Sequence, residues 1–409
     1  MYWRMNRVQT EKKNLIWVII AVVLCIIGFY SYHYLQSHFQ PEEKSVTIGL
    51  ILDGDESTPY SRNFIKAVES VVPEYGDNVS VITRCNVPYE EVDRVLRELA
   101  ESGCDIIFTN SFGFSDYVKA VAKDYPAIQF CQATGNNANT SPVLENYHTF
   151  MGEIYEGRYI AGMIAGMKLQ ELIDAGEIAA NEAWIGYVAA YPYPEVISGY
   201  TAFILGARQT CKTAIMRVKY TYTWTGYMRE KELAGQLIDE GCIVISQHSD
   251  TIGPAVMCEN ARADHPVFHV GYNLDMIDVA PTTSLIGTRI NWTPYIRDAV
   301  RAVMSDRKIE EVVKGHINGN DVGAGFERGW VEMLELNPAI APEGGQELID
   351  RTINEFVIGH VHVYSGEYYG FDPETPTDTI NLRMEYIENR YASAPSFHYI
   401  LRDIVFVEN

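Results

Sequence analysis

One order of elements occurs twice along this chain, and that repetition limits the folds open to it more than any other feature. From Lys44 onward, short β-rich apolar runs alternate with amphipathic stretches. Strands are predicted at Val46 to Leu52, Val79 to Thr83, Asp105 to Thr109 and Ile128 to Gln132, with helices at Arg62 to Val72 and Tyr89 to Ser102. In the second of these helices, VDRVLRELA sets apolar residues at i, i+3, i+4 and i+7, the spacing of one helical face. The same order then recurs as WIGYVA from Trp184, a helical pattern over Ser198 to Arg208, MRVKYTY from Met216, EKELAGQLIDEG, and CIVIS from Cys242. Gly49 matches Gly186, Gly103-Cys104 matches Gly241-Cys242, and Tyr125-Pro126 matches His265-Pro266, all at a near-constant offset that indicates an internal duplication. Strands apolar on both faces, each followed by a helix, predict βαβ units and parallel sheets. Two such sheets with their carboxyl-end loops facing each other make a cleft, and those ends are where open α/β sheets bind ligands.

Charge narrows what the cleft can hold. Thirty-two Lys and Arg against 54 Asp and Glu give a net charge of −22. Such a polyanion repels a phosphate backbone, so nucleic acid is excluded as a partner. With 47% hydrophobic and 21% charged residues the composition is that of a folded chain, not a disordered one.

Residues Leu15 to Tyr30 form an unbroken apolar run that continues in aromatic form to Leu35. That length suits a helix crossing the hydrocarbon core. Arg4, Arg7, Lys12 and Lys13 precede it and, by the positive-inside tendency, hold residues 1–14 in the cytoplasm and the acidic bulk outside. A cleaved signal peptide and a lipoprotein signal with Cys25 acylated are the alternatives, but the bulky Leu24 before Cys25 lacks the small-residue pattern that processing needs. The expectation is a single-pass anchor over 15–35 in the cell membrane. The other six cysteines show no zinc spacing, and Cys104, Cys131 and Cys242 sit in or beside apolar runs, as core thiols do.

Four segments, CDIIFTNSFGFSDYVKAVAKDYPAIQF from Cys104, YEGRYIAGMIAGM from Tyr155, WIGYVAAYPYPEVISGYTAFILGA from Trp184 and HVGYNLDM from His269, resemble the basic membrane protein family of substrate-binding proteins, which includes purine nucleoside receptor A and the Med-like proteins. The likeness covers most of Val46 to about Gly325. It implies an α/β type I periplasmic-binding-protein fold, with two Rossmann-like lobes joined by a hinge. Lobe 1 would take 45–150 and about 288–312, lobe 2 would take 151–287 and about 313–369, and 370–409 would form a C-terminal extension. The implied activity is capture of a nucleoside for an ABC importer, with a membrane permease as partner, no cofactor and a monomeric state.

Site residues implied by the resemblance are carried over position by position. Tyr60 and Trp224 take the places of two aromatic rings that sandwich the base, and Ser61 takes the polar position beside the first. Thr134 and Asn273 stand where the family has acids, Asp275 keeps the second acid of its segment, and no lysine falls at Ile290 to Trp292. Asp53, Asn110, Ser111 and Asp250 are further hydrogen-bonding groups in strand-end loops. Stacking is physically apt because any base offers a π-face.

Other signals have plainer readings. Gln247-His248-Ser249-Asp250 groups triad residue types, but triad members converge from separate loops, so a strand-end ligand contact is expected. His360 and His362 alternate in a predicted strand without a third ligand, and Asn318 to Gly323 reads as a turn feeding a strand without the oxygen spacing of a calcium loop. No nucleophile, base or metal constellation is present, so no catalytic residue and no metal site is assigned and the chain is read as a binder, not an enzyme. A ligand-sensing ectodomain signalling to a membrane partner is the alternative reading.

Overall fold

Runs that are apolar on both faces become the central strands of two sheets. The computed structural model describes residues 23–31 and 44–408. Strands β1 (Val46–Ile51), β2 (Val79–Arg84), β3 (Ile106–Thr109), β4 (Gln129–Ala133) and β5 (Tyr147–Gly152) pair in parallel in the order β5-β4-β3-β1-β2. Strands β6 (Trp184–Ala189), β7 (Ile215–Tyr220), β8 (Val244–His248), β9 (Phe268–Tyr272) and β10 (Ser284–Ile290) repeat that order as β10-β9-β8-β6-β7. The duplication is thus a repeat of topology as well as of landmarks.

Packing repeats with it. A side chain at Gly49 would strike Ile107 and Leu99, and one at Gly186 would strike Ile245 and Leu237, so each glycine lets a helix lie close on its sheet. Helices α1 (Pro59–Tyr75), α2 (Val92–Glu101) and α3 (Ser115–Ala122) connect the strands of the first lobe. Helices α4 (Ile154–Asp174), α5 (Pro194–Thr210), α6 (Tyr227–Asp239) and α7 (Gly253–Ala261) belong to the second. Gly103 at φ +85 and Gly241 at φ +90 follow α2 and α6 in the left-handed conformation that glycine tolerates.

Three crossings join the lobes. After β5 the chain enters lobe 2 through Glu153 and α4. After β10 it returns at Asn291 and Trp292 to lay α8 (Thr293–Met304) and the short α9 (Ile309–Val312) on lobe 1, where Tyr295 stacks on Phe150 at 3.7 Å. It then pairs the hairpin β11 (His316–Asn318) and β12 (Asp321–Ala324) onto β5, and crosses last to β13 (Val331–Met333), which adds antiparallel to β10. Here the sequence reading is corrected: residues 316–324 complete the sheet of lobe 1 and do not belong to lobe 2, because Asp321 to Ala324 pair residue for residue with Thr149 to Gly152. Gly319 at φ +58 makes the expected turn between these strands. At the crossings, Asn291 N–H donates to the Trp330 carbonyl at 2.7 Å, and the Phe326 amide donates to the Glu156 carboxylate, for which the bare Gly325 leaves room.

Helix α10 (Gly345–Val357) packs on lobe 2, and the strand expected around His360 and His362 is absent; Gly359 at φ +73 closes the helix and an irregular segment follows. In the extension, β14 (Tyr369–Phe371), β15 (Thr379–Asn381) and β16 (Ile400–Leu401) form a small antiparallel sheet, and β17 (Val405–Glu408) adds in parallel to the β7 edge of lobe 2. All seven cysteines are unpaired, five of them buried.

Residues 23–31 form a separate helical piece with Leu24, Ile27 and Phe29 exposed. The rest of the anchor expected over 15–35 lies outside the described residues. Among the described residues, no helix is long and apolar enough to cross a membrane.

Candidate functional site

Between the carboxyl ends of the two sheets lies a small, partly open cavity with about 20 Å³ of free volume. From lobe 1 it is lined by Asp53, Tyr60, Asn110, Ser111, Phe112 and Thr134, and from lobe 2 by Glu195, Trp224, Asp250 and Tyr272.

On lobe 1 the wall is a clamp between the ends of β1 and β3. The Asp53 amide donates to Asn110 Oδ1 at 3.0 Å, while Asn110 Nδ2 donates to Asp53 Oδ1 and to Ser61 Oγ, both at 3.1 Å. Ser61 also donates to Asp53 Oδ1, so it supports the wall from behind. Proline at the first turn of α1 starts that helix without spending a needed N–H. The next residue, Tyr60, points to the cavity with its hydroxyl donating to the Asn110 carbonyl at 2.7 Å and its ring edge-on to Phe64 and Trp292. Burial raises the Asp53 carboxyl above its ordinary range, against hydrogen bonds from Ser111, Asn110 and Ser61 that favour the ionised form.

On lobe 2 the buried Glu230 organises two loops at once. It accepts from Ser249 Oγ, from the Thr251 amide and from the Gly226 amide. The Asp250 amide donates to the Trp224 carbonyl at 2.8 Å, which ties those loops together. Trp224 leans on Tyr191 and Tyr193. Burial raises Asp250 well above the usual carboxylate range, and the neighbouring charges of Asp53, Glu230 and Glu195 push the same way, opposed by a hydrogen bond with Asn273. The lining holds three carboxylates and no lysine or arginine.

Two residues sit in matching strained positions. Thr134 (φ +60) directly follows β4 and Asn273 (φ +65) directly follows β9, and their amides donate to Phe150 and Thr288 of the adjacent strands. A β-branched residue at positive φ is a costly conformation that persists only where surrounding structure holds it, and such strain gathers at ligand sites. Thr134 Oγ1 is buried without a hydrogen-bond partner. The lobes meet at Phe112 and Tyr193, 5.9 Å between ring centroids, and at Asn63 Nδ2, which donates to Asn273 Oδ1 at 3.4 Å.

Of the ten residues expected from the sequence, Asp53, Tyr60, Asn110, Ser111, Thr134, Trp224 and Asp250 line the cavity, while Ser61 and Asn273 brace the lining from behind. Asp275 is corrected: it is exposed and accepts from the Ile277 amide in a local turn, away from the cavity. Phe112, Glu195 and Tyr272 were missed. The repeat could have found Glu195, because Pro194-Glu195 opens α5 as Pro59-Tyr60 opens α1. Two other groups bring potential metal-binding atoms together, Asp372/Asp378/His398 and Glu153/Glu156/Glu327, both outside the cavity.

If the Asp250 proton is held by burial, replacing the carboxyl should relieve the fold. A raised native value means that the folded state binds the proton more tightly, so stability declines as pH rises from the ordinary carboxylate range through the raised value. The ligand-free Asp250→Asn variant should therefore melt a few degrees higher than the native protein at pH 7 and lose the advantage near pH 4, read by thermal denaturation across pH. Equal melting curves at both pH values would show Asp250 ionised without penalty.

Residues 46–365 match the family model described as ABC transporter substrate-binding protein, PnrA-like. The chain is 30% identical over 304 residues to a Haloferax volcanii protein whose name assigns it glucose binding in an ABC transporter, covering 74% of this chain and 70% of that one. It is 27% identical over 328 residues to a purine-binding protein of Brucella abortus, covering 79% and 84%. Among solved structures, a solute-binding protein of an ABC transporter system from Aeropyrum pernix aligns with a TM-score of 0.61 at 16% identity over 77% of this chain and 92% of that one. A transcriptional activator from Bacillus halodurans aligns with a TM-score of 0.58 at 20% identity, over 76% and 97%. At such identities the structural likeness shows the fold, α/β with two parallel-sheet lobes in the type I periplasmic-binding-protein manner.

Proposed function

The chain belongs to the family of PnrA-like ABC transporter substrate-binding proteins, and from that premise we propose that it captures a nucleoside-like planar ligand between its lobes and hands it to a membrane permease. Members of the family bind their solute outside the cytoplasm and do no chemistry on it. The ligand is held with Tyr60 on one face and Trp224 on the other, and its hydroxyl and N–H groups meet the carboxylates of Asp53, Glu195 and Asp250. The observation that carries the reading is the placement of both rings on one cavity wall set, one from each lobe, beside the unpartnered Thr134 Oγ1. Ligand capture draws the lobes together because closure completes contacts that the open form lacks. The protein works as a monomer tethered through residues 15–35, and the three crossings serve as its hinge.

A hexose is the second reading. It is favoured by the name of the Haloferax relative and by a lining in which an indole and three carboxylates, good acceptors for hydroxyl donors, coincide. Thermal-shift screening of residues 44–409 against nucleosides, nucleobases and sugars separates the two. At a hundredfold excess over Kd a ligand adds about 2.7 kcal/mol, a rise of roughly 5–10 °C for lobes of this size. The expected result is such a rise with a purine nucleoside. A rise with hexoses alone would replace the nucleoside reading by the sugar one.

A further inference from the structure

His248 closes β8 behind the cavity wall, fully buried, and neither of its ring nitrogens has a hydrogen-bond partner. Desolvating two polar atoms without pairing them costs the fold, so the position asks for a reason. The ring is held in place from two sides. Tyr272, itself part of the cavity lining, lies against it at 4.3 Å between centroids. Gly199 of α5 makes room below, where a Cβ would stand 2.6 Å from Nδ1. So held, Nε2 lies 3.7 Å from Glu195 Oε1, one short side-chain rotation beyond hydrogen-bond reach, and Glu195 lines the cavity.

Three titratable or charged groups face the imidazole: Glu195 from α5, Tyr272 from β9 and Arg158 from α4. The Arg158 guanidinium is fully buried and held by the Gly271 carbonyl, Tyr187 Oη and Ser246 Oγ. Burial pushes the imidazole below its ordinary range, the Glu195 carboxylate opposes that push, and the Arg158 charge adds a smaller push downward. A neutral imidazole can donate from only one nitrogen.

Resting on the reading of this cavity as the solute site, we propose that His248 is the positioning residue of Glu195. When a ligand seats, the His248 Nε2–H donates to Glu195 Oε1 and fixes that carboxylate as an acceptor for a ligand hydroxyl or N–H. The site thereby separates the roles of its acids: Glu195 is backed by a buried donor, while Asp250 is crowded by other carboxylates. Solutes that place a hydrogen-bond donor on the lobe 2 side are selected over isosteres without one.

Two measurements on the full-length protein in detergent test this. Nitrogen-15 histidine NMR reads the ring without any ligand. His248 should be a neutral Nε2–H tautomer at pH 7, with ring shifts that move in Glu195→Gln; an Nδ1–H tautomer, or shifts indifferent to Glu195→Gln, would overturn the proposal. Binding is then measured by calorimetry with adenosine and glucose as probes. His248→Phe and Glu195→Gln should each weaken the bound probe roughly 10- to 100-fold, the loss of a hydrogen bond to a charged group. The double variant should be no worse than either single one, and His248→Gln, which keeps a donor, should recover part of the loss. Losses that multiply independently would refute the coupling. If neither probe binds the native protein, the nucleoside and hexose readings fail and the NMR result alone decides the role of His248.

Discussion

Gly162→Val leaves a protein whose second lobe no longer holds together under mild denaturant. Helices α4 and α5 cross where Gly162 faces Phe203 and Gly206 faces Tyr159, and a Cβ at either glycine would stand 2.0 Å from the carbonyl oxygen opposite. Gly166 meets the Ala207 carbonyl at 2.2 Å in the same way. The obstacle is backbone within a helix, which cannot turn aside as a flexible side chain would. Separating the two helices opens the core around Ile160, Ile164, Ile204 and Phe203. Overpacking of this kind costs about 3 kcal/mol or more, which lowers the melting temperature by roughly 6–12 °C for a lobe of this size. Urea denaturation of Gly162→Val and Gly206→Val measures it. A midpoint unchanged in both would mean that the helices do not approach as closely as the geometry requires.

Loss of Trp224 should cost much of the affinity for a planar ligand. Base stacking contributes about 1–3 kcal/mol per base, so Trp224→Ala weakens a nucleoside roughly 5- to 150-fold. Tyr60→Ala should cost at least as much, because the same side chain holds the Asn110 carbonyl and so steadies the loop that clamps Asp53. Tyr60→Phe keeps the ring and drops only that hydroxyl, so its loss should be smaller than that of Tyr60→Ala. Calorimetric titration of the three variants with the nucleoside found by thermal shift provides the numbers. Affinity indifferent to both alanine variants would mean that the ligand does not lie between these rings.

Sequence patterning revealed the scaffold because both sheets are buried on two faces and therefore write long apolar runs, and because duplication repeated glycines at close helix–sheet approaches. The hairpin of residues 316–324 was placed in the wrong lobe since its strands are three and four residues long, too short for a pattern, and their partner β5 is far away in sequence. Among the positions carried over by resemblance, Thr134 and Asn273 fall where the backbone geometry is common to both lobes. Asp275 lies outside the lining, and a local turn accounts for its carboxylate. Glu230 and His248 escaped notice as supports because their roles depend on loops brought together from distant parts of the chain, a relation that spacing does not encode.

The three passages between lobes also set the order in which this molecule can be completed. The edge strand β5 emerges at residue 152, but β12, which covers it, ends at residue 324. At ordinary rates of synthesis that interval is roughly 10–30 s. Meanwhile the open edge and the apolar face that awaits α8 are exposed to aggregation. Nor can lobe 2 finish before β17 pairs with β7, near the end of the chain. Neither sheet is complete until a strand from late in the sequence has paired with it, so both halves share one closing stage.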